Sequence, residues 1–276
     1  MQDNGVYRGS ITDQAGPPLR RTLSMDLQLR EHTALVTGAS TGIGAGIARV
    51  LAAEGVQLAI TARRADRLEQ LASDIAAQGY PRPLVIPGDI ISATEITRIA
   101  RDASQALDRI EILVNTAGGA RPFALEASDA DWDEAFALNF GSARRMTQAL
   151  LPGMRHRRWG RIINFSGSME PREVNGAGAA KAALQFWAKG MASQLAAEGI
   201  TVNTIAPGRI NSEQVLDKLH PTPEARQAFI ARHVPIGYFG EPDDIAHLVA
   251  YLASPLARYL TGEVIAVDGG LHAFVH

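Results

Sequence analysis

Cysteine is absent from the 276 residues, which excludes disulfides, thiolate metal sites and cysteine nucleophiles. No uncharged apolar run approaches the ~18 residues that a membrane helix needs. The N-terminus also lacks an apolar segment of the secretory type, so the expected location is cytoplasmic. Net charge is only −2, which gives no electrostatic reason to expect a nucleic acid or a membrane surface as partner. Lysine is the other scarcity: Lys181, Lys189 and Lys218 are the only lysines among 27 basic residues. A GC-rich coding bias accounts for the scarcity, and a lysine kept in a chemically informative place then stands out. What remains is an ordinary globular mixture, 46% apolar and 20% charged, long enough to bury a sizeable core.

Residues 1–24 show no apolar periodicity and contain Gly16-Pro17-Pro18, so they read as a flexible N-terminal extension. From Met25 onward short apolar runs alternate with longer helical patterns. Strands are expected at Ala34 to Val36, Val56 to Thr61, Leu84 to Ile86, Ile110 to Val114, Arg161 to Phe165, Thr201 to Ile205 and Val264 to Val267. Helices are expected at Ile43 to Glu54 and Ala65 to Gln78, the second with Leu68, Leu71 and Ile75 at helical spacing. Buried-type strands alternating with helices predict a doubly wound α/β fold, a Rossmann-type parallel sheet covered on both faces. No internal repeat or linker divides residues 25–276, so one domain is expected there.

Directly after the first strand comes Thr37-Gly38-Ala39-Ser40-Thr41-Gly42-Ile43-Gly44. Glycines between a strand and a helix permit a tight turn and let backbone approach a pyrophosphate, whose charge is stabilised by the N–H groups at the helix N-terminus. An acid at the end of the second strand would favour the free ribose hydroxyl of NAD. That strand instead runs into Arg63-Arg64, with no acid before Asp66. A guanidinium matches a 2′-phosphate, so NADP(H) is favoured over NAD(H). The alternative is solvated charge at a helix start.

With these motifs in place the chain, from about residue 33 to 270, resembles the short-chain dehydrogenase/reductase family. The spacing of Gly38, Gly42 and Gly44 is that family's variant of the fingerprint. Asn115-Thr116-Ala117-Gly118 is similar to its N-x-A-G motif. Asp89 falls where the family contacts adenine, and Asn139 at its helix asparagine that helps hold a relay water. Lys181 through Pro207-Gly208 resembles its long helix, sixth strand and Pro-Gly turn, and Val267-Asp268-Gly269-Gly270 its C-terminal end. The resemblance implies nucleotide contacts at Gly38, Ser40, Thr41, Gly42, Ile43, Gly44, Asn115, Ala117, Gly118, Pro207, Gly208 and Ser212. It also implies that Lys181 holds the nicotinamide ribose, and that the last helix and strand form a homodimer or homotetramer interface.

The family transfers a hydride between a nicotinamide and a carbonyl or alcohol carbon, with a tyrosine one helical turn before the lysine moving the proton. Here that position is Ala177, and no tyrosine lies between Tyr80 and Tyr238. The expected serine position holds Gly167, flanked by Ser166 and Ser168. The catalytic candidates are therefore Asn139, Ser168 and Lys181. Glu170 and Glu173, beside Arg172, supply carboxylates that burial could tune for proton transfer or substrate binding; the plainer reading is a polar surface loop. Arg209, after the Pro-Gly turn, is a candidate for a substrate anion. His220 and His233 lie in a segment that reads as a mobile lid and are expected to be surface residues. Met169, Phe186 and Trp187 are expected to be packing residues, and no metal site is expected. An NADP(H)-dependent carbonyl reductase acting on a small ketone or 3-oxoacyl-type substrate fits this inventory first. A non-redox lyase, dehydratase or isomerase and a catalytically silent nucleotide-binding protein remain alternatives.

Overall fold

The computed structural model describes residues 25–119, 123–167, 170 and 174–273, together with the backbone but not the side chains of Gln214 and Lys218. The proposed N-terminal extension therefore lies outside the described residues, as do Ser168, Met169, Arg172 and Glu173. The chain runs β1 (Thr33–Thr37), α1 (Gly42–Ala53), β2 (Gln57–Thr61), α2 (Ala65–Ala77), β3 (Leu84–Val85), α3 (Ala93–Ala106) and β4 (Ile112–Asn115). It continues through α4 (Asp129–Phe136), α5 (Ser142–Arg157), β5 (Gly160–Phe165), α6 (Gly176–Leu195), β6 (Ile200–Pro207), α7 (Pro223–His233), α8 (Pro242–Ala253) and β7 (Val264–Val267). All the strands pair in parallel, in a seven-stranded sheet of order β3-β2-β1-β4-β5-β6-β7.

Period-2 alternation of apolar residues explains why helices cover both faces. Ala34 and Val36 of β1, Ile112 and Val114 of β4, and Ile163 and Phe165 of β5 face a core shared with α1, α2 and α8. Leu35, Leu113 and Ile162, their alternate neighbours, face a second core with α3, α5 and α6. No face of these central strands is left for water, so their sequence reads as continuous apolar runs. Gly46 allows close approach of α1 and α8, because a Cβ there would stand 2.6 Å from Pro242 Cβ.

Strand order reverses between β1 and β4, where crossovers leave toward opposite faces. A crevice opens at the carboxyl ends of the strands at such a point. The glycine turn leaves β1 there and Asn115 to Gly118 leaves β4 there. Chain direction alone thus brings two distant motifs to one edge of the sheet.

One packing expectation fails. Trp187 does pack on the second core and meets Phe140 edge-on at 6.1 Å, but Phe186 is 87% exposed. Neighbours on a helix point about 100° apart, so one of an adjacent aromatic pair can face the sheet and the other solvent.

Candidate nucleotide and active site

Gly38 and Gly42 take φ of +67° and +55°, backbone that other residues adopt only with strain. Contact constrains the turn further. A Cβ on Gly38 would stand 2.9 Å from both Cα and N of Ala117, and one on Gly44 would stand 2.4 Å from the Gly38 carbonyl oxygen. Thr116 Oγ1 donates to the Thr37 carbonyl, and the Ala117 amide donates to Thr37 Oγ1 at 3.4 Å. These bonds tie the turn after β1 to the chain leaving β4. Thr41 precedes α1 without a side-chain cap, unlike Ser92, Ser128, Asn175 and Thr222, which cap α3, α4, α6 and α7. The opening of α1 thus combines helix-end amides with a backbone cradle that side chains would fill, which fits a pyrophosphate.

Arg64 precedes α2 and reaches back over this turn. Its Nη2 donates to Thr41 Oγ1 at 3.0 Å, to Ser40 Oγ at 3.5 Å and to Glu213 Oε2 at 2.9 Å. Arg63 beside it is exposed. Ser212 crosses the turn from the segment after β6, its Cβ 3.0 Å from where a Cβ on Gly42 would stand. Asp89 follows β3 and accepts from the Ile91 amide at 3.0 Å. Asn115 pairs in register with Thr37 and Asn164 and donates to Asn164 Oδ1 at 2.9 Å, bracing the middle of the sheet.

Farther along the same edge, three chain segments meet around Lys181. A Cβ on Gly118 would stand 2.9 Å from Asn139 Oδ1 and 3.6 Å from Lys181 Nζ. Lys181 Nζ donates to the Ser166 carbonyl at 3.0 Å. Gly167 leaves room beside the lysine stem, 3.6 Å from Lys181 Cδ to a Cβ built there. Burial pushes the Lys181 ammonium down to about 8. Asn139 is 3% exposed; it accepts from the Gly119 amide at 3.0 Å and donates to the Ala135 carbonyl at 3.0 Å. It sits in a single π-helical turn, Ala137–Gly141, between α4 and α5. Turns of this kind are frequent at functional sites.

Ala177 lies one helical turn before Lys181 on α6 and is 5% exposed. Asn175 caps that helix, its Oδ1 accepting from the amides of Ala177 and Gly178 at 3.0 and 3.3 Å. The Ser166 hydroxyl is buried and accepts from Gln185 Nε2 at 2.7 Å, so it faces α6 rather than open space.

Other candidates are placed elsewhere. Arg209 turns toward the segment before and within α7, its Nε donating to His220 Nε2 at 3.3 Å and its guanidinium 5.0 Å from the Phe229 ring centroid. His220 also packs on Phe229 and Phe239, and desolvation with the charges of Arg209 and Arg226 lowers its pKa. Glu170 Oε1 accepts from the Ala273 amide at 2.6 Å. Pro207 ends β6, and the Gly208 amide donates to the Val267 carbonyl at 2.9 Å, holding the Pro-Gly turn against β7. Thr37, Thr116, Gln185 and Glu213 were not expected at this site. The two threonines follow or accompany a recognised glycine motif, the one signal available for them. Gln185 and Glu213 carry no motif at all.

The family model described as "Enoyl-(Acyl carrier protein) reductase" matches residues 38–272. The chain belongs to the short-chain dehydrogenase/reductase family. It is 34% identical over 254 residues to the 3-oxoacyl-[acyl-carrier-protein] reductase FabG of Aquifex aeolicus, covering 90% of this chain and 100% of that protein. L-sorbose reductase of Gluconobacter frateurii, solved with NADPH and L-sorbose, superposes with a TM-score of 0.86 at 29% identity, over 91% of this chain and 100% of the other. A 7α-hydroxysteroid dehydrogenase, solved with NADH and 7-oxo glycochenodeoxycholic acid, superposes with a TM-score of 0.83 at 32% identity, over 91% and 98%. These relatives are oxidoreductases, and two of them were solved with a nicotinamide nucleotide bound. No helix among its described residues is long and apolar enough to cross a membrane.

Proposed function

We propose that this family member is an NADP(H)-dependent carbonyl reductase, or the reverse alcohol dehydrogenase, acting on a small ketone or 3-oxoacyl-type substrate. The observation that carries the reading is the meeting of Lys181, Asn139 and Gly118 at the carboxyl ends of the strands, beside the glycine turn after β1. Gly38, Ser40, Thr41, Gly42, Ile43 and Gly44 would hold the pyrophosphate; Arg63 and Arg64 the 2′-phosphate; and Asp89 the adenine. Asn115, Ala117 and Gly118 would line the sugar-binding edge, Lys181 would hold the nicotinamide ribose, and Pro207, Gly208 and Ser212 would border the carboxamide. Bound there, the nucleotide supplies or accepts the reducing equivalents.

The substrate classes follow the relatives, whose names include a 3-oxoacyl thioester, a ketose and a steroid ketone. Those names include both NADPH and NADH, so the cofactor preference rests on the arginine pair, where a guanidinium matches a phosphate. In this reading Ala177 stands at the family's tyrosine position, and the proton for the substrate oxygen is held at Lys181 Nζ. A group pushed down to about 8 has an acidity near that of an effective general acid at neutral pH. Asn139 keeps its carboxamide aimed at the Gly119 amide and so holds the backbone at the edge of the nicotinamide site. Ser168 is kept as a catalytic candidate, and Glu170, Glu173 and Arg209 as candidate substrate contacts. Association through α8 and β7 into a homodimer or homotetramer is part of the same proposal, and Tyr259 beside that face is 99% exposed.

The test is titration with NADPH and NADH, followed by absorbance at the reduced-nicotinamide band across ketones, ketoses and 3-oxoacyl thioesters. NADPH oxidation with at least one class is expected. Tight NADPH binding without oxidation of any of them would refute the reductase and leave a nucleotide-binding protein, whereas failure to bind either nucleotide would refute both.

A further inference from the structure

Glu213 belongs to the segment between β6 and the π-helical turn Gln214–Leu219 that leads toward α7. It lies far in sequence from the glycine turn, yet its Oε2 is 2.9 Å from Arg64 Nη2. That same nitrogen is 3.0 Å from Thr41 Oγ1, so one guanidinium joins three chain segments: the glycine turn, the start of α2 and the chain leaving β6. Ser212, next to Glu213, meets Gly42. The chain after β6 therefore approaches the turn at two adjacent residues, Ser212 so closely that a Cβ on Gly42 would stand 3.0 Å from its Cβ, and Glu213 through the Arg64 guanidinium. Both members of the ion pair are about half exposed, at 44% and 42%, so a solute anion can reach the guanidinium.

We propose that Glu213 is a specificity-determining latch whose carboxylate occupies the Arg64 guanidinium that the 2′-phosphate of NADP(H) must take. The inference rests on the assignment of Arg64 to that phosphate under Proposed function. NADP(H) binding then exchanges one anion for another at Arg64 and releases Glu213, together with the segment leading to the lid. NAD(H) presents a neutral ribose hydroxyl and leaves the pair intact. A phosphate monoester carries nearly two negative charges and more acceptor oxygens than a carboxylate, so the exchange proceeds in its favour. The exchange still lowers NADP(H) affinity below what Arg64 alone would give. Glu213 thus narrows the gap between the two nucleotides without touching the nicotinamide end.

Exposed ion pairs are weak and screened by salt, so the expected effect is modest, roughly two- to fivefold at low ionic strength. The experiment is fluorescence titration of NADPH and NADH into the full chain as wild type, Glu213→Gln, Arg64→Gln and the double variant. Glu213→Gln is expected to tighten NADPH about two- to fivefold while leaving NADH affinity unchanged. In the Arg64→Gln background the same substitution is expected to change neither. If Arg64→Gln weakens NADPH but Glu213→Gln does not tighten it, the latch is wrong and the phosphate assignment stands. If Arg64→Gln leaves NADPH unchanged, the phosphate assignment fails and the latch falls with it. Equal tightening of NADPH and NADH by Glu213→Gln would show a general charge effect and also overturn the latch.

Discussion

Replacing Lys181 with methionine should make the nucleotide-free protein more stable while weakening nucleotide binding. The lysine stem packs beside Gly167 and its ammonium is desolvated, with the Ser166 carbonyl as its hydrogen-bond acceptor at 3.0 Å. Desolvation moves its pKa from 10.5 to about 8, a gap that corresponds to about 3 kcal/mol disfavouring the charged form in the fold. Methionine keeps the stem and removes the charge, but it leaves the Ser166 carbonyl without that donor, a loss of about 1 kcal/mol. Lys181 also keeps some surface exposure, which trims the gain. A net stabilisation of about 1 to 2 kcal/mol at pH 7 remains, a rise in Tm of roughly 2 to 5 °C for a chain of this size. The pH dependence provides the sharper check. Below about pH 8 the lysine is charged in both folded and unfolded protein, so the whole burial penalty is present. Between about 8 and 10.5 the unfolded chain binds more protons than the folded one, and wild-type stability rises relative to the variant. Thermal melts of both proteins from pH 7 to 10 should show the advantage of the methionine variant shrinking above pH 8. A variant less stable than wild type at pH 7, or an advantage that does not change with pH, would refute the reasoning.

The remaining predictions concern the glycine turn and the opposite end of the sheet. Gly44→Ala places a Cβ 2.4 Å from the Gly38 carbonyl oxygen and 2.8 Å from Thr116 Oγ1; a loss of about 1–3 kcal/mol of stability by urea titration is expected, together with loss of NADPH binding. Unaltered NADPH affinity would show that the turn does not hold the nucleotide. Glu111 is nearly buried before β4. Burial alone would raise its carboxyl, but His32, the Thr33 amide and Arg109 outweigh it and hold the group at about 2 against an ordinary 4.5. A lowered carboxylate stabilises the fold above about 4.5 and loses that contribution as pH falls toward 2, at most about 3 kcal/mol. Glu111→Gln should therefore be less stable than wild type near neutral pH, with the two urea midpoints converging toward pH 2; a difference independent of pH would contradict this account.

The strands were legible in the sequence because a parallel sheet buried on both faces needs apolar residues at successive positions, as in Ala34-Leu35-Val36. Their limits were less so. The run Ile110 to Val114 suggests a strand two residues ahead of the observed Ile112–Asn115, because pairing, which includes the polar Asn115 opposite Thr37, is not a property of hydrophobicity. The glycine turn was legible because φ above zero and close backbone approach admit few other residues. Lys181 stood out by its scarcity, and the family motifs located Asn139. Sequence therefore determined the layer architecture, the glycine turn and the lysine, all features set by local sterics or by repeated burial. Tertiary structure alone decided that Asn139 turns inward on a π-helical turn, that Arg209 packs against His220 and Phe229, and that Glu213 engages Arg64. Each of these depends on which side chains from distant segments come within hydrogen-bond reach, and no spacing along a single segment encodes that.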